Sequence, residues 1–140
     1  MKINKLAAIF LILALSVIYS CGTGTKANTS AVAGNELKIV NDMGSFNEFI
    51  NGSTPVLVDF YADWCGPCKM MAPIMQQVSR DMAGKVKVIK VDVDKNEDVA
   101  RKYQIRSIPT MILFKNGKAV WQGVGVMQAD QIKAIVEKNS

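Results

Sequence analysis

The chain has no histidine and only three cysteines among its 140 residues. The absence of imidazole excludes mechanisms that use it as a base or as a metal ligand. Three thiols are too few for a disulfide-dense scaffold or for a four-cysteine zinc site. Any chemistry in this chain must therefore come from cysteine and carboxylate side chains.

The charge is too weakly biased to indicate nucleic-acid binding. Seventeen basic and twelve acidic residues give a net charge of +5, and two of the lysines, Lys2 and Lys5, lie in an N-terminal stretch without acidic residues. The remaining excess is mild, and no basic stripe is interleaved with aromatic residues. We therefore expect no nucleic-acid partner. The chain is long enough for one compact domain but not for two ordinary cores, and we expect it to be a monomer.

The first 20 residues have the pattern of a signal peptide. An apolar run over residues 6–19 follows the two lysines; it is too short for a membrane span of about 20 residues and suits the core of an export signal. The run ends at Ser20-Cys21, which resembles the lipobox of bacterial lipoproteins. We therefore expect residues 1–20 to be removed and Cys21 to be lipidated. The alternatives are an ordinary cleaved signal with a free Cys21, and an uncleaved anchor.

Residues 21–35 are small and polar and show no apolar period, which is typical of a flexible tether. We expect this tether to connect Cys21 to a folded domain over residues 36–140. No acidic residue lies in the tether, which favours a protein that faces the periplasm. The predicted location is therefore exported and periplasmic, with membrane attachment through the Cys21 lipid.

In the folded part, apolar runs of strand length alternate with helical segments. Pro55–Tyr61 and Val86–Val93 are apolar at neighbouring positions, as in central strands covered on both faces. Asn116-Gly117, between Thr110–Phe114 and Ala119–Val124, predicts a hairpin. The order βαβαβαββα indicates an α/β fold with a parallel core, helices on both faces and an antiparallel edge.

Local signals also predict where the helices begin. A capping-box spacing at Ser45 predicts that a short helix begins there. Asp94, with a second acidic residue three positions later, predicts that another helix begins at Asp94. A longer helix is expected from about Cys65 to Met82. Pro73 lies inside it and removes one backbone donor, which predicts a kink.

The segment Trp64-Cys65-Gly66-Pro67-Cys68 lies where a buried strand meets the long helix. Cysteines three residues apart in a first helical turn lie on the same side, close enough to form a disulfide. Cys65 stands at the helix N-terminus, where free N–H groups and the macrodipole favour a thiolate, so position makes it the nucleophile. A structural disulfide is a weaker interpretation because so small a ring removes little chain entropy. A second alternative is that the two cysteines form half of a zinc site. This is weak because the remaining cysteine, Cys21, is distant in the sequence.

Two charged residues interrupt strands that we expect to be buried. Asp59 lies within the first of these strands and Lys90 within the second. Because a buried charge is costly unless it is paired or neutral, we expect the two side chains to face each other beneath the cysteines. Burial should raise the pKa of Asp59 into a range suited to moving protons. The alternative is that either side chain reaches the surface.

Three further features can be interpreted from their type and position alone. Pro109, taken alone, is typical of a residue that starts a strand. The methionines at positions 70, 71, 75 and 82 are better explained as core filling than as a copper site. Trp64, next to the cysteines, is expected on an exposed apolar rim that contacts a partner.

These motifs resemble those of the thioredoxin family over about Leu37 to Lys138. The segment from Trp64 to Cys68 matches the family's active-site sequence, and Val58–Ala62 matches the strand of its buried aspartate, with Tyr61 where many members have tryptophan. Lys90 falls at the family's partner lysine. The resemblance implies a thioredoxin fold, with a central mixed sheet of about five strands flanked by four helices. It also implies a cis bond in Ile108-Pro109-Thr110.

The resemblance further implies a thiol–disulfide oxidoreductase that needs no cofactor. In its cycle Cys65 attacks a partner disulfide, and Cys68, deprotonated with help from Asp59 beside Lys90, resolves the mixed disulfide. Trp64, Gly66 and Pro67 would form the active-site turn. The substrate groove would add Ile108, Pro109, Thr110, Val124 and Gly125.

The direction of the reaction is suggested by the dipeptide between the cysteines. Gly66-Pro67 resembles the reducing branch of the superfamily, so we expect a reductase of disulfide-bearing exported proteins. An exported protein cannot use a soluble reductase, which implies a membrane electron donor. The alternatives are a periplasmic oxidase or isomerase, and a non-catalytic binding subunit with the same fold.

Overall fold

The computed structural model describes residues 37–140. The signal peptide, the lipidated Cys21 and the tether predicted above lie outside the described residues. The described chain contains, in order, β1 (Lys38–Val40), α1 (Met43–Ile50), β2 (Val56–Tyr61), α2 (Gly66–Asp81), β3 (Lys87–Asp92), α3 (Glu97–Lys102), β4 (Thr110–Lys115), β5 (Lys118–Val124) and α4 (Ala129–Asn139). This confirms the predicted order of elements.

The strands form one five-stranded mixed sheet in the order β1-β3-β2-β4-β5. β3 runs parallel to both β1 and β2, whereas β4 pairs antiparallel with β2 and with β5. Asn116 and Gly117 both have positive φ, of 51° and 76°, as the hairpin between β4 and β5 requires. β2 is therefore the central strand, paired along both edges.

Alternating side chains of the central strands form a hydrophobic cluster on each face of the sheet. Leu57 and Leu113 belong to the cluster that α2 and α4 cover, whereas Val58 and Phe114 belong to the one covered by α1 and α3. Phe46 of α1 lies edge-on to Phe114, with ring centroids 5.7 Å apart. Burying each such ring contributes about 1.5–3 kcal/mol. The predicted helices on both faces are thus confirmed.

The predicted start of α1 at Ser45 is wrong. The helix begins at Met43, and Asp42 is its N-cap, with Oδ1 accepting a hydrogen bond of 2.9 Å from the Ser45 N–H. The Ser45 hydroxyl also donates to Oδ2 of Asp42. Because the Asp42 carboxylate accepts from both groups of Ser45, the capping position lies three residues earlier than predicted.

The start of α3 predicted at Asp94 is also wrong, because Asn96 takes the capping position. The Asn96 side chain is buried, and its Nδ2 donates to the carbonyls of Asp92, at 2.9 Å, and of Val40, at 3.3 Å. These bonds link the ends of β1 and β3 to the first turn of α3. The Asp94 carboxylate is left available for a different partner.

The long helix α2 has the predicted extent, with Cys65 as N-cap and Met82 as C-cap. It continues through Pro73 as one α-helix.

Within residues 37–140, no helix combines the length and the hydrophobicity that crossing a bilayer would require.

Candidate active site

Cys65 and Cys68 are joined by a disulfide at the start of α2. The S–S distance is 2.10 Å and the Cα atoms are 5.3 Å apart. Sγ of Cys65, the N-cap, accepts a hydrogen bond of 3.2 Å from the Cys68 N–H. Both cysteines are buried, with 4% and 2% of their surface exposed. The predicted pairing is confirmed, and the Cys65 sulfur lies where backbone N–H groups can stabilise negative charge.

The turn between β3 and α3 holds the active-site turn in place. Trp64 is 71% exposed, and its Nε1 donates a hydrogen bond of 2.8 Å to Oδ2 of Asp94. Lys95 forms an ion pair of 2.9 Å with Asp92 and a longer one of 3.8 Å with Asp63. The expectation that Trp64 lies on an exposed rim is confirmed. The Asp94 carboxylate, expected at a helix start, binds the Trp64 ring instead.

Asp92 remains ionised under this turn. Burial opposes its ionisation, but hydrogen bonds from the Lys95 ammonium and the Asp94 N–H outweigh burial and lower the pKa of Asp92. The Asp92 carboxylate in turn raises the pKa of Lys95. The ion pair therefore persists across the physiological pH range.

Asp59 is fully buried on the central strand. Its side chain has 0% exposure, and neither carboxylate oxygen has a hydrogen-bond partner among the described residues. Burial raises the pKa of Asp59 to about 6, against a smaller opposing effect of the Lys90 ammonium. The predicted direction of the pKa shift is confirmed.

The expected pairing of Lys90 with Asp59 is only half right. The two residues are direct partners in the register of β2 and β3. However, among the residues from 37 to 140, no ion pair joins their side chains. Nζ of Lys90 lies 3.8 Å from the centroid of the Tyr61 ring instead. The ring attracts the cation and leaves the ammonium partly in water. If the ammonium were buried beside the carboxylate, it would lose that contact with water.

A small cavity of about 110 Å³ opens between α2 and β3. Cys68, Lys69 and Ala72 line it from α2, Lys90 lines it from β3, and the remaining wall is Tyr61, Ala62 and Asp63. Since one water needs only about 10–15 Å³ of such space, the cavity has room for several. Water in this cavity would contact Cys68 and Lys90, the register partner of Asp59; Asp59 itself is not among the lining residues.

The predicted substrate groove is brought together only in part. The Ile108–Pro109 bond is cis, as the family resemblance implied. The Gly125 N–H donates to the Pro109 carbonyl at 2.8 Å, and Gly125 has a φ of +93°, a conformation that glycine adopts most readily. Val124 beside it is 61% exposed, and Gly66 and Pro67 of the turn are exposed.

Thr110 does not line this groove. It is 1% exposed, and its hydroxyl donates a hydrogen bond of 2.6 Å to the Ser107 carbonyl. Because the first residue of β4 points into the protein, Thr110 supports the loop before the cis bond from beneath.

A larger cavity, of about 330 Å³, lies beside Trp64. Its walls are Trp64, Val93, Ile105, Arg106, Ser107 and Ile108. Sequence reasoning identified two of these residues and missed Val93, Ile105, Arg106 and Ser107. Their only sequence signal is proximity to Pro109 or to the end of β3. Within the described part of the chain, no cluster of three or more acidic or cysteine side chains could hold a metal ion.

A disulfide across the first turn of a helix, next to an exposed tryptophan in the sequence and preceded by a central strand with a buried carboxyl, defines a thiol–disulfide oxidoreductase with the thioredoxin fold. The family model for thioredoxin matches residues 37–138. The chain belongs to the thioredoxin family.

Individual relatives agree with this assignment. Thioredoxin C-2 of Corynebacterium nephridii is 47% identical over 92 residues, which cover 66% of this chain and 85% of the relative. Thioredoxin of Pseudomonas aeruginosa is 43% identical over 100 residues, covering 71% and 93%. A solved mutant thioredoxin of Halobacterium salinarum gives a TM-score of 0.72 at 33% identity, over 78% of this chain and 95% of that one. Thioredoxins exchange disulfides with protein substrates, and this chain is an oxidoreductase of that kind.

Proposed function

We propose that this thioredoxin reduces disulfides of exported proteins while anchored to a membrane through Cys21, with Cys65 as nucleophile and Cys68 as resolving thiol. The observation that supports the chemistry is the bond between two sulfurs of one helical turn, at the N-cap of α2. The N-terminal pattern of residues 1–21 supports export.

The first step is attack by the reduced site on a partner. The Cys65 thiolate forms a bond to one sulfur of the partner disulfide, and the other partner sulfur leaves as a thiolate that takes up a proton. The Cys68 N–H, which donates to Sγ of Cys65, favours the anionic sulfur before the attack. The product is a mixed disulfide between Cys65 and the partner.

The second step releases the partner. The Cys68 thiol gives its proton, through water, to the Asp59 carboxylate, and the resulting thiolate attacks Sγ of Cys65. The Cys65–Cys68 disulfide forms while the second partner sulfur leaves as a thiolate and is protonated. The partner gains two electrons and two protons, and the oxidised site then accepts electrons from a membrane donor. Asp59 suits this role because its oxygens have no competing partner in the described chain.

Partner docking is assigned to the exposed surface around the disulfide. Trp64, next to Cys65 in the sequence, and Val124, next to the Gly125 that bonds to Pro109, both present exposed apolar surface. Ile108, at the cis bond, lines a cavity together with Trp64, and main-chain groups of a partner would approach here. Such exposed apolar surface suits many partners rather than one.

Thiol trapping in cells tests this proposal. Cys68→Ser should accumulate mixed disulfides between Cys65 and exported proteins, because the resolving thiol is missing. The double variant Cys65→Ser with Cys68→Ser is the matched control and should trap nothing. If Cys68→Ser traps no partner, or traps only partners that are never exported, the proposal is wrong.

Two measurements separate the remaining parts of the proposal. Fractionation and mass spectrometry should find a lipid on Cys21, and Cys21→Ser should release the protein from the membrane. The reduction potential should lie near or below that of the glutathione pool. A potential well above that pool would indicate a disulfide oxidase instead.

A further inference from the structure

We infer that Tyr61 is a positioning residue, whose ring holds the Lys90 ammonium away from Asp59 and so keeps the Asp59 carboxyl unpaired for proton exchange with Cys68. The inference rests on the proposed function, because it assigns the cause of a feature on which the second step depends.

The strand geometry gives the ammonium two competing partners. Asp59 and Tyr61 are two residues apart on β2, so their side chains project to the same face. Lys90 is the direct register partner of Asp59 on β3. The same face carries Leu57, which packs in the cluster covered by α2. A lysine at this position has both a carboxylate and an aromatic ring within reach.

In the structure, the Lys90 ammonium contacts the Tyr61 ring and not the Asp59 carboxylate. Nζ of Lys90 lies 3.8 Å from the Tyr61 ring centroid, well inside the range of about 6 Å for a cation–π contact. Both oxygens of Asp59 are without a partner in the described residues, although an ammonium sits on the neighbouring strand. Without the ring, Coulomb attraction would draw the ammonium to the carboxylate.

The other charged groups around this site do not take the place of Lys90. From α2, Cys68 and Lys69 line the small cavity, and Asp63 lines it from the end of β2. On the β4 side, the register partner of Asp59 is Met111, which carries no charge. Lys90 is the charged group that lowers the pKa of Asp59, against the larger effect of burial.

The Tyr61 hydroxyl stays neutral, so the ring acts on Lys90 through its face. Burial raises the pKa of Tyr61, and the nearby carboxylates of Asp92 and Asp63 raise it further. A phenylalanine should therefore replace tyrosine without loss of this role, whereas an aliphatic side chain should not.

The test is a carbon-13 NMR titration of the Asp59 carboxyl in the oxidised full-length protein, with Asp59→Asn used for assignment. In Tyr61→Leu the ammonium should move to the carboxylate, and the titration midpoint should fall by about one pH unit or more. In Tyr61→Phe it should stay where it is in the unmodified protein. Adding Lys90→Met to Tyr61→Leu should bring the midpoint back up. A Tyr61→Leu midpoint equal to that of the unmodified protein overturns the inference.

A second measurement needs no substitution in the ring. In the unmodified protein, the ε-methylene protons of Lys90 should be shifted upfield by the ring current of Tyr61. Resonances at ordinary lysine positions would overturn the inference even if Tyr61→Leu failed to fold. Both measurements use the disulfide form without a partner, so they can fail while the trapping experiment succeeds, and the reverse.

Discussion

The indole Nε1 of Trp64 donates a hydrogen bond of 2.8 Å to Oδ2 of Asp94, which lies 30 residues further along the chain. The bond joins the turn before the redox helix to the turn after β3. It sets the orientation of a ring that is 71% exposed and that forms one wall of the larger cavity. An exposed ring without such a bond would sample several rotamers and would lose entropy when a partner docks.

We expect Asp94→Ala to raise KM for a protein disulfide by about 3- to 10-fold with little change in kcat, because one hydrogen bond of about 0.5–1.5 kcal/mol no longer fixes the ring. Asp94→Asn keeps an acceptor and should stay within about twofold of the unmodified protein. Time-resolved fluorescence of Trp64, in a Trp121→Phe background, should show faster ring motion in Asp94→Ala. An unchanged KM in Asp94→Ala would show that the bond is not needed for docking.

The raised pKa of Asp59 makes stability depend on pH. The pKa is about 6 in the folded protein and 3.8 in the unfolded chain, so the folded state binds the proton more tightly between these values. The free energy of unfolding therefore falls as pH rises from about 4 to about 6, and the cost then stays near 3 kcal/mol. Asp59→Asn lacks this cost.

We expect Asp59→Asn to be more stable than the unmodified protein at pH 7.5, by up to about 3 kcal/mol, and to lose most of that advantage near pH 4. Urea unfolding of the oxidised proteins across this range measures the difference. Asp63→Asn is the matched control, because the Asp63 side chain is 80% exposed, and its stability difference should stay nearly flat. A pH-independent gain in Asp59→Asn would contradict the assignment.

The two cysteines should differ in reactivity once the disulfide is reduced. Cys65 is the N-cap and accepts the Cys68 N–H, so iodoacetamide should alkylate Cys65 at least about tenfold faster than Cys68 at neutral pH. Mass spectrometry of the two labelled sites gives the rates. In denaturant the rates should converge, and a difference that persists there would not come from the helix.

The Trp121 ring lies so close to Gly123 that a larger residue at position 123 of β5 should destabilise the fold. A Cβ added at Gly123 would overlap the six-membered part of the Trp121 ring, which packs against the cluster under α2 and α4. We expect Gly123→Ala to lower the free energy of unfolding by about 1–3 kcal/mol. Gly52→Ala, whose added Cβ would lie 3.6 Å from the nearest atom, is the matched control and should be close to neutral. Equal stabilities would mean that the ring moves aside freely.

Much of the fold follows from short-range signals in the sequence. The apolar runs containing Asp59 and Lys90 predicted the central strands, and Asn116-Gly117 predicted the hairpin, because each depends on local periodicity or on a turn that few residues can form. The cysteine pair was equally predictable, since its spacing and its place at a strand–helix junction fix the geometry.

The sequence does not predict which side chain a residue contacts when the fold brings several within reach. Lys90 has both Asp59 and Tyr61 within reach, and only the packed structure decides for the ring. Asp94 was expected at a helix start, yet Asn96 caps the helix and Asp94 accepts from Trp64. The cavity beside Trp64 is built from segments distant in sequence, so no single stretch of the chain indicates it.

Because the two sulfurs lie one turn apart at the N-terminus of a single helix, we expect the surrounding surface to keep its shape when their bond forms or breaks. A partner therefore meets the same contour before and after it has been reduced. On this expectation, cleavage of the covalent link releases the partner, without a change in the surface that bound it.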